Sequence, residues 1–144
     1  MSKTFDAPFP QDPRTASPVL TLACVLGLTN EPTNTLPLFT AGPEGAVLTG
    51  LWCMPCGAVP ATGLYLFRSP AGNQTKKYFI DSEVMPALST FSATVKIAKV
   101  KFSEYSELST LRLGAGESLH VGIGTASPNG IVFFAQETEY DDPA

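Results

Sequence analysis

Turn-forming residues interrupt this chain before any long helix can develop. Asn30-Glu-Pro-Thr-Asn34, Ala41-Gly-Pro-Glu-Gly45, Ser69-Pro-Ala-Gly-Asn73, Gly114-Ala-Gly116 and Ser127-Pro-Asn-Gly130 are clusters of the residue types that set turn dihedrals. Thirteen prolines in 144 residues leave few uninterrupted windows. A proline inside a helix removes one hydrogen bond and clashes with the preceding turn. What remains between the breakers has strand texture, at residues 18–25, 35–40, 46–54, 61–69, 75–86, 111–113, 117–124 and 130–139. Residues 94–102 (Thr-Val-Lys-Ile-Ala-Lys-Val-Lys-Phe) alternate as a half-exposed strand with a bulge near Ala98. Residues 103–109 have room for a helical turn and no more.

Short strands separated by breakers every 8 to 15 residues or so predict an all-β fold, an antiparallel β-sandwich of jelly-roll type. The alternation assigns Leu48, Leu64, Leu66, Phe79, Ile97, Leu119, Val121, Ile123, Val132 and Phe134 to its core. Residues 1–17 show neither a period of 2 nor of 3.6 and are punctuated by Pro8, Pro10 and Pro13. They read as an extended N-terminal arm in which Phe5 and Phe9 are the candidate partner-binding anchors. The sandwich domain then covers 18–140, followed by an acidic tail at 141–144. Hydrophobic content of 44 % supplies one core and excludes a wholly disordered chain.

Charge narrows the partners. The net charge is −4, and four of the thirteen acids (Glu137, Glu139, Asp141, Asp142) fall in the last eight residues, so nine acids face nine bases in the body. Lys76-Lys77 is an isolated pair, and Lys96, Lys99 and Lys101 are each separated by apolar residues. No basic track exists for nucleic acid. The run at 18–28 is too short to span a bilayer, and the residues before it lack the cationic character of a secretory signal. No membrane partner is expected, and synthesis is expected in the cytoplasm.

Candidate chemistry is sparse. A Ser-His-Asp or Cys-His arrangement can only use His120, which the alternation places on the solvent face of its strand, opposite Leu119, Val121 and Ile123. No pair of carboxylates stands out for acid–base work, and Gly114-Ala-Gly116 and Gly122-Ile-Gly124 lack the helix of a phosphate loop. Cys53-Met-Pro-Cys56 has a metal-site spacing, but a tetrahedral set would need Cys24 and His120 as well. The three cysteines are read as free and structural. The expectation is therefore no enzyme, no catalytic residues, no metal and no cofactor.

The order of segments carries a resemblance. Phe39-Thr-Ala-Gly-Pro-Glu-Gly45 leads to Val47-Leu-Thr-Gly-Leu-Trp52, then Ala61-Thr-Gly-Leu-Tyr-Leu-Phe-Arg68 and Tyr78-Phe-Ile-Asp-Ser-Glu-Val84. Leu111-Arg-Leu-Gly-Ala-Gly-Glu-Ser-Leu-His120 precedes the last strand. Over residues 35–139 this resembles small β-sandwich virion proteins of tailed bacteriophages, of the head-decoration or cement kind. The resemblance implies a non-enzymatic structural protein on the capsid exterior. Its partners would be the major capsid protein and neighbouring copies of itself, as a homotrimer. The alternative is a tail, baseplate or fibre-associated β-module that binds carbohydrate through Trp52, Tyr65 and Tyr78. A cellular jelly-roll binding domain is a third class.

Overall fold

The structure, a computed structural model, describes residues 10–26, 29–106 and 108–140. Two antiparallel sheets face each other, and no helix occurs among the described residues. Sheet A has the order β1 (Pro10–Ala16), β10 (Ile131–Tyr140), β4 (Ala46–Pro55), β7 (Val100–Lys101). In it β2 (Val19–Leu20) also pairs with β10, and β8 (Leu111–Leu113) with β4. Sheet B has the order β3 (Leu36–Thr40), β9 (Ser118–Ile123), β5 (Thr62–Ser69), β6 (Tyr78–Met85).

The pairings nest. The ends of the chain pair first (β1 and β2 with β10), then β3 with β9, β4 with β8, and innermost β5 with β6. One long hairpin rolled over itself gives this order, and the roll adds the β4–β10 and β5–β9 ladders. The fold is thus a jelly-roll-like β-sandwich, as the strand spacing predicts.

Each breaker cluster holds a residue with positive φ: Asn30 and Asn34, Gly45, Gly72, Gly116 and Gly130. Gly45 shows why the residue type matters. At φ 88° a Cβ would lie 2.6 Å from the Leu113 carbonyl oxygen, where β4 starts against β8.

The core contains Leu48, Leu64, Leu66, Leu119, Val121 and Ile123 as expected. Four assignments are corrected. In β10 the inward residues are Ile131, Phe133 and Ala135, whereas Val132 and Phe134 lie half-buried on the outer face. A continuous apolar run does not reveal its own parity; the pairing of Phe133 with the buried Cys53 sets it. Phe79 stands 47 % exposed on edge strand β6, and Ile97 is half-buried.

Only Val100–Lys101 of the 94–102 alternation is strand, because just these residues find a ladder partner, in β4. Residues 103–106 and 108–109 form turns with a Ser106–Ser109 bridge rather than a helical turn. The N-terminal segment also differs from an arm that stands off the sandwich, since Pro10–Ala16 pairs along β10. Its prolines are tolerated because β1 is an edge strand. Phe5, Phe9 and the tail at 141–144 lie outside the described residues.

Bulges adjust the inward face. Thr49 is extra in β4, between the Leu48–Glu137 and Gly50–Gln136 pairs, so Leu48 and Leu51 both point inward. Ile80 is extra in β6 between the Leu66–Asp81 and Phe67–Phe79 pairs.

This register is testable by comparison of two substitutions. Val121→Asp buries an unpaired charge at a fully buried position and should cost more than about 3 kcal/mol. Val132→Asp, on the half-buried outer face, should cost clearly less. Thermal melts of the two variants check the order, and equal losses would overturn the assignment of β9 and β10 faces.

Candidate functional site

Three features outside the inter-sheet core can carry function: the covered outer face of sheet B, its edge strand β6, and the outer face of sheet A.

Every residue of β9 is buried, which requires that both faces of sheet B be covered there. The second cover is built by residues 21–26 and 29–34. Cys24 N–H donates to the Ile123 carbonyl at 2.6 Å, and Cys24 packs over Gly122, where a Cβ would sit 3.0 Å from that of Cys24. Val25 and Thr33 then exchange backbone hydrogen bonds of 3.2 and 3.0 Å. Lys77 N–H donates to the Asn30 carbonyl at 2.8 Å, and Lys76 Nζ reaches the Glu31 carboxylate at 3.1 Å.

His120 lies on the outer face of sheet B, as the alternation expects, but is only 4 % exposed rather than solvent-facing. No periodicity signals that a distant loop will fold over the face. Its Nε2 lies 3.0 Å from Ser118 Oγ. Burial, reinforced by the Lys77 charge, lowers its pKa to about 4. The ring is therefore a neutral packing group at neutral pH.

The cysteines occupy separate places. Cys24 is in the flap over sheet B, Cys53 points into the core of sheet A, and Cys56 is exposed beyond the end of β4. Burial raises the pKa of both Cys24 and Cys53. Among the described residues no group of three or more His, Cys, Asp or Glu side chains gathers as for a metal.

The three candidate stacking aromatics do not converge either. Tyr65 lies on the outer face of sheet B, with its hydroxyl over Gly63 and Gly124. It joins Phe67 and Phe79 in a ring cluster with centroids 5.2 to 6.3 Å apart. Tyr78 opens β6 at 47 % exposure. Trp52 lies on the other sheet, stacked on Phe134 with centroids 5.8 Å apart and planes at 25°. Sequence alternation misplaced Phe134 in the core, and only the cross-strand register with Trp52 exposes the pair.

Strand β6 is the outermost strand of sheet B. Tyr78, Phe79, Ile80 and Val84 are 47, 47, 36 and 70 % exposed, and Phe79 shares a cleft with Leu26 of the flap. Its other side carries Asp81 and Glu83, paired with the inward-facing Leu66 and Leu64. Tyr105 approaches Asp81; burial and that carboxylate raise the phenol to about 12.

No family model matches the chain, and no curated protein matches it. Among solved structures, a chain in the structure of infectious bursal disease virus Gx strain superposes with a TM-score of 0.39 and 11 % identity. The match covers 94 % of this chain and 35 % of that one, so this chain spans about a third of that relative's length.

Two measurements check the buried groups. His120 has a folded pKa of about 4 against 6.5 unfolded, so the unfolded chain binds the extra proton between these values. Its contribution is complete above pH 6.5 and is lost as pH falls towards 4, by up to about 3 kcal/mol. The stability difference between wild type and His120→Gln should therefore shrink from pH 7 to pH 4.5; a constant difference would count against a buried neutral ring. A thiol reagent should label Cys56 rapidly and Cys24 and Cys53 only on unfolding, as mass spectrometry of the labelled sites would record.

Proposed function

We propose that this chain is a non-enzymatic structural protein of a tailed-phage virion. It sits on the capsid exterior and contacts the major capsid protein and neighbouring copies of itself. The observation that carries this reading is strand β6: eight residues long, at the edge of its sheet, with four large apolar side chains in solvent. Such an edge is an association surface unless it is paired or covered. The order of segments in the sequence supports the same class of protein.

The chemistry of β6 favours a ring over a two-fold dimer. If two β6 strands paired antiparallel about Ser82, Asp81 of one would face Glu83 of the other. Like charges directly opposite destabilise a ladder. A head-to-tail contact avoids this, and closing it at three copies gives the homotrimer that matches a threefold point of an icosahedral shell. Attachment to the shell is assigned to residues 2–9, with Phe5 and Phe9 as apolar anchors. Residues 10–16 belong to β1, so a test of the arm must leave them in place.

Val84→Lys should convert a trimer to monomers in light scattering while leaving the melting temperature nearly unchanged, since Val84 is 70 % exposed. Deletion of residues 2–9 should leave the fold intact and abolish co-sedimentation with particles stripped of this protein. Wild-type protein that is monomeric and fails to sediment with such particles would overturn the reading.

A further inference from the structure

The outer face of sheet A holds a feature that the capsid reading leaves unused. Trp52 and Phe134 are adjacent across the β4–β10 ladder and stack at 5.8 Å. Both rings are half-buried on the outer face, away from the inter-sheet core. On the other flank of Trp52, β7 places Lys101 directly across from it. Lys99 Nζ stands over the indole, 5.5 Å from its centroid. A groove of about 420 Å³ opens here, with Gln136, Ser103 and Ser106 among its walls. At its floor is Gly50, where a Cβ would lie 3.5 Å from the indole and 3.3 Å from the Gln136 amide oxygen.

Each part has a chemical counterpart. A half-exposed indole beside a glycine offers a flat apolar surface to the C–H face of a pyranose ring. Hydroxyls and an amide at the rim suit sugar hydroxyls. Two ammonium groups on one side of the ring suit a single carboxylate, held by charge-assisted hydrogen bonds. Among the described residues neither lysine forms an ion pair; Lys99 contacts the indole through its ammonium, and both side chains are exposed. We infer that this groove binds an acidic saccharide, with a uronic or sialic acid residue that displaces the exposed Lys99 ammonium from above Trp52, stacks on the indole in its place and holds its carboxylate between Lys99 and Lys101. Single-stranded nucleic acid is the poorer fit. It needs a track of cations along its backbone, and this chain carries thirteen acids against nine bases. The inference stands on this face alone and does not depend on attachment to a capsid.

Trp52 is the chain's single tryptophan, so its fluorescence reports on the groove directly. The full-length protein is titrated with 3′-sialyllactose, digalacturonic acid, lactose and a thymidine oligonucleotide. At least one acidic saccharide should give a saturable emission change that weakens with added salt. Lactose should bind about tenfold more weakly or worse, corresponding to loss of one charge-assisted contact. Lys99→Gln and Lys101→Gln, both at exposed positions, should each weaken acidic-saccharide binding several-fold with unchanged melting temperature. Trp52→Ala should abolish binding measured by calorimetry. No saturable response to either acidic saccharide would overturn the inference. So would equal binding of lactose, tighter binding of the oligonucleotide, or affinity indifferent to both lysine substitutions.

Discussion

The ladder between β4 and β10 is the constraint from which the rest of the molecule follows. It joins Ala46–Pro55 to Ile131–Tyr140, two long strands separated by most of the domain, and it forms the centre of sheet A. With β10 in place, β1 and β2 have a partner and the inward faces of both sheets can close on one core. Without it, β4 keeps only the short β7 and β8 on its other side. Non-local pairing of this kind has to meet its loop-closure cost before packing offsets it, so folding of such a roll is slow relative to that of local hairpins.

The same ladder sets side-chain direction. Ile131, Phe133 and Ala135 face inward against Leu51 and Cys53, and the extra residue Thr49 lets Leu48 face inward as well. The parity continues to Glu137 and Glu139, which are 6 and 5 % exposed at the end of the sandwich. Glu139 is not left bare there, because its Oε2 accepts the Gly42 N–H at 2.9 Å and Arg14 lies 3.8 Å from its other oxygen. Burying a carboxylate is tolerable only with such partners. At the same end, beside Ala41, Arg68 makes a two-point bond to Glu117, at 3.1 and 2.7 Å. Glu117 also accepts the Gly114 N–H, and these bonds hold its carboxyl below the usual range.

What the sequence made legible was whatever local chemistry decides. The breaker clusters were readable because each turn needs a residue that tolerates positive φ. Strand β9 was readable on its inner face because Leu119, Val121 and Ile123 alternate with smaller or polar residues. What stayed hidden depends on distant partners. His120 looks solvent-facing until residues 21–26 and 29–34 fold over its face of the sheet. Residues 94–99 alternate like a strand yet have no ladder partner in the sandwich, whereas Pro10–Ala16 lacks any pattern and pairs along β10. Phe134 was misread because β10 is apolar on both faces, and with it went the Trp52–Phe134 pair. The strand assignments rest on local signals, while the candidate sites lie on surfaces defined by cross-strand neighbours.

The two outer faces have been given different fates by one asymmetry. Sheet B is flanked by residues 21–26 and 29–34, which are pinned to it through Cys24 and Lys77 and seal β9 from solvent. On that side apolar side chains reach solvent at the rim, along β6, and on the flap itself, at Leu22, Val25 and Leu26. Among the described residues sheet A has no comparable flap over Trp52, and its aromatic pair is bordered by lysines. An edge strand suits extended, shape-driven contact with another protein, in which backbone pairing supplies much of the adhesion. A ring set among amines and hydroxyls suits a small polar ligand with one flat face. Rolling a single hairpin thus leaves an exposed apolar edge on sheet B and an aromatic pair flanked by lysines on sheet A.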